Sequence, residues 1–89
     1  MKVTLEKQEC TGTYKFNGQI IYTKGIEIEF GDDVLQVVFN TLIFIRTLVS
    51  QNIADYFQVA YAEKSNGEKV KFYIIDDIDH ITFLLPDEY

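Results

Sequence analysis

The chain opens on an alternation of period two. Val3-Thr4-Leu5-Glu6 and Ile26-Glu27-Ile28-Glu29-Phe30 place apolar side chains on one side and polar ones on the other, which predicts a half-buried strand at each place. Between them, Asn17-Gly18 separates Thr13-Tyr14-Lys15-Phe16 from Gln19-Ile20-Ile21-Tyr22-Thr23. Asn-Gly suits the two positive φ values of a type I′ turn, so a hairpin is expected there. Lys24-Gly25 then reads either as a break before a further strand or as a bulge within a bent one.

The period changes after Gly31-Asp32-Asp33, where either Asp could cap a helix and set negative charge at its positive end. The helix is expected over about residues 34–51. Leu35, Val38, Leu42, Ile45 and Val49 form one apolar stripe, and Gln36, Asn40, Thr47 and Ser50 form a narrow polar face. Val37, Phe39, Ile43, Phe44 and Leu48 widen the apolar surface beyond a single stripe, so the helix needs cover on more than one side. Self-association is the natural second cover in so small a chain, with Phe39, Ile43 and Phe44 as the expected interface of a homodimer.

Tyr56-Phe57-Gln58-Val59-Ala60-Tyr61-Ala62 reads as a strand, Ser65-Asn66-Gly67 as a turn and Lys69-Val70-Lys71-Phe72-Tyr73-Ile74-Ile75 as the returning strand. The returning strand becomes apolar on both faces, as a central strand does. Asp76-Asp77 turns the chain, and His80-Ile81-Thr82-Phe83-Leu84-Leu85 follows as a last strand stopped by Pro86, which has no N–H for a ladder. The predicted fold class is α+β: one helix packed on a mostly antiparallel sheet of about five to six strands.

With 89 residues, the chain is expected to form one domain, since two would each be too short to close a core. Its 47% hydrophobic content and single Pro exclude disordered and low-complexity classes. Eight basic residues against fourteen acidic ones give a net charge of -6, which disfavours direct nucleic-acid binding and favours a basic partner. Cys10 is the only cysteine, so no disulfide forms within the chain, and a reducing, cytoplasmic compartment is expected. The N-terminus carries no apolar run of leader length. Val34 to Val49, interrupted by Gln36, Asn40, Thr41, Arg46 and Thr47, falls short of the roughly 20 residues that span a bilayer, so no membrane role is expected.

Four short pieces resemble the domain-of-unknown-function 960 family, short proteins of Gram-positive bacteria, their phages and mobile elements. They are Tyr22-Thr23-Lys24-Gly25-Ile26, Leu35-Gln36 with Leu42-Ile43, Asp55-Tyr56-Phe57-Gln58-Val59, and Ile74-Ile75-Asp76-Asp77 running on through His80-Ile81-Thr82-Phe83-Leu84-Leu85 to Pro86-Asp87-Glu88-Tyr89. They cover residues 20–89 in order, and the closing Pro-Asp-Glu-Tyr is the most specific. Residues 1–19 stand ahead of the matched region as an extension, and Ser65-Asn66-Gly67 makes a short link where the family usually carries a longer segment. The resemblance implies a small cytoplasmic accessory protein and brings no catalytic residues.

Candidate chemistry is sparse. Asp76, Asp77, Asp79 and His80 are the one cluster with metal-ligand character, but it lacks the Gly and distal Glu of a calcium loop, so a tight turn is expected and no metal. His80 has Ser50, Ser65 and Cys10 as the only serine and cysteine nucleophiles, with no spacing that signals a triad. Glu6 and Glu9 disfavour a Cys10 thiolate, and the five glycines stand singly rather than in a phosphate loop. Neither an enzyme nor a cofactor is therefore expected.

Tyr14, Tyr22, Tyr56, Tyr61, Tyr73 and Tyr89 fall on strands or their edges and suit an interface. Residues 51–89 carry three basic and eight acidic groups, against five and six in residues 1–50. Asp76, Asp77, Asp79, Asp87, Glu88 and Tyr89 are accordingly the expected partner contacts, a surface that could imitate a nucleic-acid backbone. The sequence thus points to a non-catalytic acidic protein-binding module, an inhibitor of a host defence or nucleic-acid-handling protein in its most concrete form. An oligomeric small-ligand binder is the alternative.

Overall fold

A computed structural model of the chain describes residues 2–8 and 12–89. Its strands are β1 (Lys2–Leu5), β2 (Gln19–Tyr22), β3 (Phe57–Glu63), β4 (Lys69–Asp76) and β5 (His80–Leu84). They form one sheet in the order β1-β3-β4-β5-β2. All neighbours are antiparallel except β2 and β5, which run parallel. Two helices, α1 (Lys24–Phe30) and α2 (Val34–Ser50), cover one face and are joined by a 3-10 turn at Gly31–Asp33. This is the expected α+β class, and the N-terminal strand is an integral edge of the sheet rather than an appendage.

Local chemistry explains the two hairpins. Between β3 and β4, Gly67 takes φ +87. The loop closes through Lys64 N donating to Glu68 O at 2.8 Å and Glu68 N donating to Asn66 Oδ1 at 2.9 Å. Between β4 and β5, Ile78 N donates to Asp76 Oδ1 at 2.8 Å and His80 N to Asp77 Oδ1 at 2.7 Å, which holds Ile78 at φ +80. The aspartates therefore act as turn residues, as read from the sequence.

Within residues 13–30 the strand expected from Gln19 is present as β2, and the rest departs from expectation. Asn17-Gly18 does not make a hairpin; the segment before β2 runs across one end of the sheet, with Tyr14 N donating to Ala54 O at 3.0 Å and Phe16 fully buried at φ +47. Gly18 lies so close to the Asp79 carbonyl that an added Cβ would stand 2.6 Å from it, and Gln19 N then donates to Asp79 O at 2.9 Å to start the parallel pairing of β2 with β5. Lys24-Gly25 is neither a break before a strand nor a bulge but the first turn of α1. Ile26 to Phe30, expected as a strand, are helical because Thr23 caps them, its Oγ1 accepting from Ile26 N at 3.2 Å. Helical winding still puts Ile26 and Phe30 together in the core and leaves Ile28 73% exposed.

The core lies between α2 and the inner sheet face, where Val34, Val37, Val38, Leu42 and Ile45 meet Val3, Ala60, Ala62, Phe72, Ile74 and Phe83. The small Ala60 and Ala62 let the helix approach the sheet, and Phe72 packs edge-on against Phe30 at 5.7 Å. Thr41 is buried too, its hydroxyl bonded to Val37 O at 2.7 Å. Leu35, assigned by its spacing to the core stripe, is instead 54% exposed, because the stripe that packs is centred on Val34, Val38, Thr41 and Ile45. Lys24–Ser50 together form a helical run of 27 residues, long and apolar enough by length and composition to cross a membrane. Here its inner side is committed to the sheet.

Candidate functional site

β-Strand alternation divides the sheet into two unlike faces. Gln58, Ala60 and Ala62 of β3, Val70, Phe72, Ile74 and Asp76 of β4, and Ile81 and Phe83 of β5 turn toward the helices and are buried. Phe57, Val59 and Tyr61, Lys71, Tyr73 and Ile75, and Thr82 and Leu84 turn the other way. Neither α1 nor α2 lies on that second face; a 3-10 turn at Pro86–Glu88 packs against β4, Val59 and Leu84 are buried, and Phe57, Tyr61, Tyr73, Ile75 and Thr82 are half-buried.

An aromatic cluster occupies it. Phe57 and Tyr73 rings lie 4.8 Å apart, and Tyr89 closes onto both edge-on, at 5.4 Å from Phe57 and 5.8 Å from Tyr73. Tyr56 and Tyr14 extend the group at one end of the sheet, and Lys71 Nζ stands 5.8 Å from the Tyr73 ring centre. Edge-to-face geometry at these distances is the favourable one for aromatic rings. Such a surface combines large apolar area with polar hydroxyl tips, the composition of binding hot spots. Tyr73 and Tyr89 are both among the tyrosines that the sequence assigns to an interface; Phe57 is not, because only the β3–β4 register places it beside them.

Tyr89 reaches this face because the preceding residue is tied down. Glu88 Oε1 accepts from Thr23 Oγ1 at 2.6 Å and from Leu85 N at 2.8 Å, and its Oε2 accepts from Gly25 N at 3.3 Å. The Thr23 hydroxyl, then the Leu85 and Gly25 amides, hold the carboxyl below the usual glutamate value. A Cβ at Gly25 would meet the Glu88 carboxylate at 2.5 Å, so it would displace the Glu88 side chain from this position. Glu88 is therefore a latch between the C-terminus and the start of α1.

The other acidic candidates do not form one patch. Asp76, expected at a partner contact, is only 4% exposed; its Oδ2 accepts from Phe16 N at 3.0 Å and its Oδ1 from Ile78 N, so it anchors the fold. Asp77 and Asp79 are exposed ahead of β5 and Asp87 is exposed beyond it, separated by a five-residue strand about 17 Å long. Asp77 Oδ1 also lies 3.8 Å from His80 Nδ1. Among the described residues no three His, Cys, Asp or Glu side chains come together to hold a metal ion. Ser65 and His80 lie beyond opposite ends of β4, and Ser50 Oγ is bonded within its own helix to Thr47 O. Cys10 lies outside the described residues.

On α2 the expected interface residues Phe39, Ile43 and Phe44 are all exposed, Ile43 to 65%. Ile43 and Phe44, with Asn40, border a groove of about 390 Å³ whose other wall is Lys2, Val3 and Thr4 of β1. A second hollow of about 340 Å³ is lined by Leu5, Leu48, Ile53 and Gln58, and the buried Gln58 Oε1 has no hydrogen-bond partner among the described residues. No family model matches the chain, and neither a curated protein nor a solved structure matches it.

Proposed function

We propose that the protein is a non-catalytic binding module that takes a protein partner on the sheet face opposite its two helices, centred on Phe57, Tyr73 and Tyr89. The observation that carries this reading is the mutual packing of those three rings on the face opposite α1 and α2, with Tyr89 itself 73% exposed. Rigid aromatic anchors of this kind supply most of the energy of protein interfaces. The net charge of -6 and the exposed Asp77, Asp79 and Asp87 favour a basic partner, because long-range attraction raises the rate of encounter and is screened by salt. A cytoplasmic inhibitor of a defence or nucleic-acid-handling protein is the most specific form of this reading. That form draws on the acidic surface and on the family resemblance.

The test is affinity capture from a bacterial lysate at low and high salt, with wild-type protein beside Tyr73→Ala/Tyr89→Ala and Asp77→Asn/Asp79→Asn/Asp87→Asn variants. A partner held by wild type, lost with the two tyrosines and weakened by salt supports the reading. A partner held equally by all three proteins overturns it.

A second reading, a small-ligand binder, has support from one feature, the buried Gln58 Oε1 that has no hydrogen-bond partner among the described residues, beside a hollow walled by Leu5, Leu48 and Ile53 and by Glu6, Lys7 and Gln8. Mass spectrometry of an extract of the purified protein, compared with Gln58→Leu, tests it: a stoichiometric small molecule lost in the variant is the expected result, and none in either is the contrary one.

A further inference from the structure

β1 is an edge strand, and its pairing with β3 fixes which way its backbone groups point. Glu6 N donates to Val59 O at 2.8 Å, so Glu6 bonds inward. By the alternation of an antiparallel ladder, Lys2 and Thr4 bond inward as well, and Val3 and Leu5 present their N–H and C=O groups to the edge, where no other strand pairs among the described residues. The side chains sort by the same period. Val3 and Leu5 lie on the helix side, and Lys2, Thr4 and Glu6 lie on the opposite side.

A two-fold rotation brings such an edge onto its own copy as an antiparallel pair. Outward-bonding residues must then face outward-bonding residues, which leaves registers centred on Val3, Thr4 or Leu5. Centring on Thr4 pairs Val3 with Leu5 of the second copy at both ends, so that all the free backbone groups of both residues are used. It also sets Lys2 opposite Glu6 of the second copy, twice over. The other two centrings face Lys2 with Thr4 or with Gln8 and form no such pair. The five residues Lys2-Val3-Thr4-Leu5-Glu6 are thus complementary to themselves in charge, in apolar character and in hydrogen bonding.

We propose that the protein forms a symmetric dimer in which β1 pairs antiparallel with β1 of a second copy, centred on Thr4. The groove beside β1 fits this arrangement. Its walls are Lys2, Val3 and Thr4 on one side and Asn40, Ile43 and Phe44 on the other, and α2 packs closely on β1. Strands pair at about 4.8 Å. The pairing therefore brings the α2 helix of each copy, packed on its own β1, up to the two-fold axis beside its mate. The exposed Ile43 and Phe44 of each copy fill the groove of the other. The dimer joins two five-stranded sheets into one and sets both aromatic faces on the same side, so two partner sites would be held in fixed relation. This inference is independent of what binds the aromatic face.

Two experiments on the full chain test it together. In a Cys10→Ser background, Thr4→Cys is expected to form a covalent dimer under mild oxidation, because residues facing each other at a non-hydrogen-bonded antiparallel position have Cα atoms about 4.5 Å apart, within disulfide range. Lys2→Cys in the same background is expected to stay monomeric on a non-reducing gel, since its opposite residue is Glu6. In sedimentation velocity, Lys2→Glu and Glu6→Lys are each expected to raise the dimer Kd by about tenfold. The double swap Lys2→Glu/Glu6→Lys is expected to restore it, and Ile43→Ser/Phe44→Ser to weaken the dimer most. The proposal is overturned if wild type sediments as a monomer at about 100 µM, a concentration well above useful dimer affinities. It is also overturned if Thr4→Cys cross-links no better than Lys2→Cys, or if a dimer persists unchanged through the charge and groove variants.

Discussion

Asp76 and Phe16, sixty residues apart, are joined by a 3.0 Å hydrogen bond from the Phe16 amide to the Asp76 carboxylate in the protein interior. The bond pins the crossing segment that carries the chain from β1 at one edge of the sheet to β2 at the other. Arg46 holds the same segment from α2, donating to Lys15 O at 3.1 Å and to Phe16 O at 2.5 Å. Asp76 also accepts from Ile78 N, so its removal leaves two amides without their acceptor. Asp76→Ala is expected to cost about 2–4 kcal/mol in urea unfolding, whereas the neighbouring Asp77→Ala, exposed in the turn, is expected to cost about 1 kcal/mol or less.

Gly18 and Gly67 are needed for different reasons, and their alanine variants separate them. At Gly18 a Cβ would stand 2.6 Å from the backbone of Asp79, so β2 must move away from β5; at Gly67 space is open and only φ +87 resists. Gly67→Ala is expected to cost about 1–2 kcal/mol through left-handed strain. Gly18→Ala is expected to cost more and, unlike Gly67→Ala, to speed amide hydrogen exchange in β2.

The Glu88 latch gives a pH signature. Its folded pKa is lowered from 4.5, chiefly by the Thr23 hydroxyl and then by the Leu85 amide. The stabilisation is therefore present above the unfolded value and is lost as pH falls through the folded one. In thermal melts, wild type is expected to exceed Glu88→Gln in Tm at pH 7, and the gap is expected to close in acid below pH 4.5.

The helix offers a direct comparison of two leucines one face apart. Leu42→Ala removes a buried side chain and is expected to cost about 2–4 kcal/mol, while Leu35→Ala, 54% exposed, is expected to cost under about 1 kcal/mol. Equal losses in denaturant unfolding would put Leu35 back in the core.

These residues also mark what the sequence made legible. α2 and the run β3, β4, β5 could be read directly, because each is long enough for one period to dominate and each turn carries its own chemistry, with Gly67 at positive φ and Asp76 and Asp77 capping amides. Ile26 to Phe30 misled because apolar residues at 26, 28 and 30 satisfy a strand, while 26 and 30 alone satisfy a helix; the Thr23 cap decided it. Asn17-Gly18 misled because its glycine serves a close approach to Asp79, a residue more than sixty positions away. Asp76 read as a surface acid for the same reason, since its partner Phe16 is remote in sequence. The aromatic face needed the register of β3 against β4 and the returning C-terminus, neither of which is written locally.

The most direct measurement is the amide chemical-shift change of the labelled protein on titration with its captured partner. The expected result is a pattern that alternates along the strands, strongest at Phe57, Val59, Tyr61, Lys71, Tyr73 and Tyr89 and weak on α2. Shifts confined to Leu35, Phe39 and Ile43 on α2, with the sheet unchanged, would contradict the assignment of the sheet face opposite the helices as the binding surface.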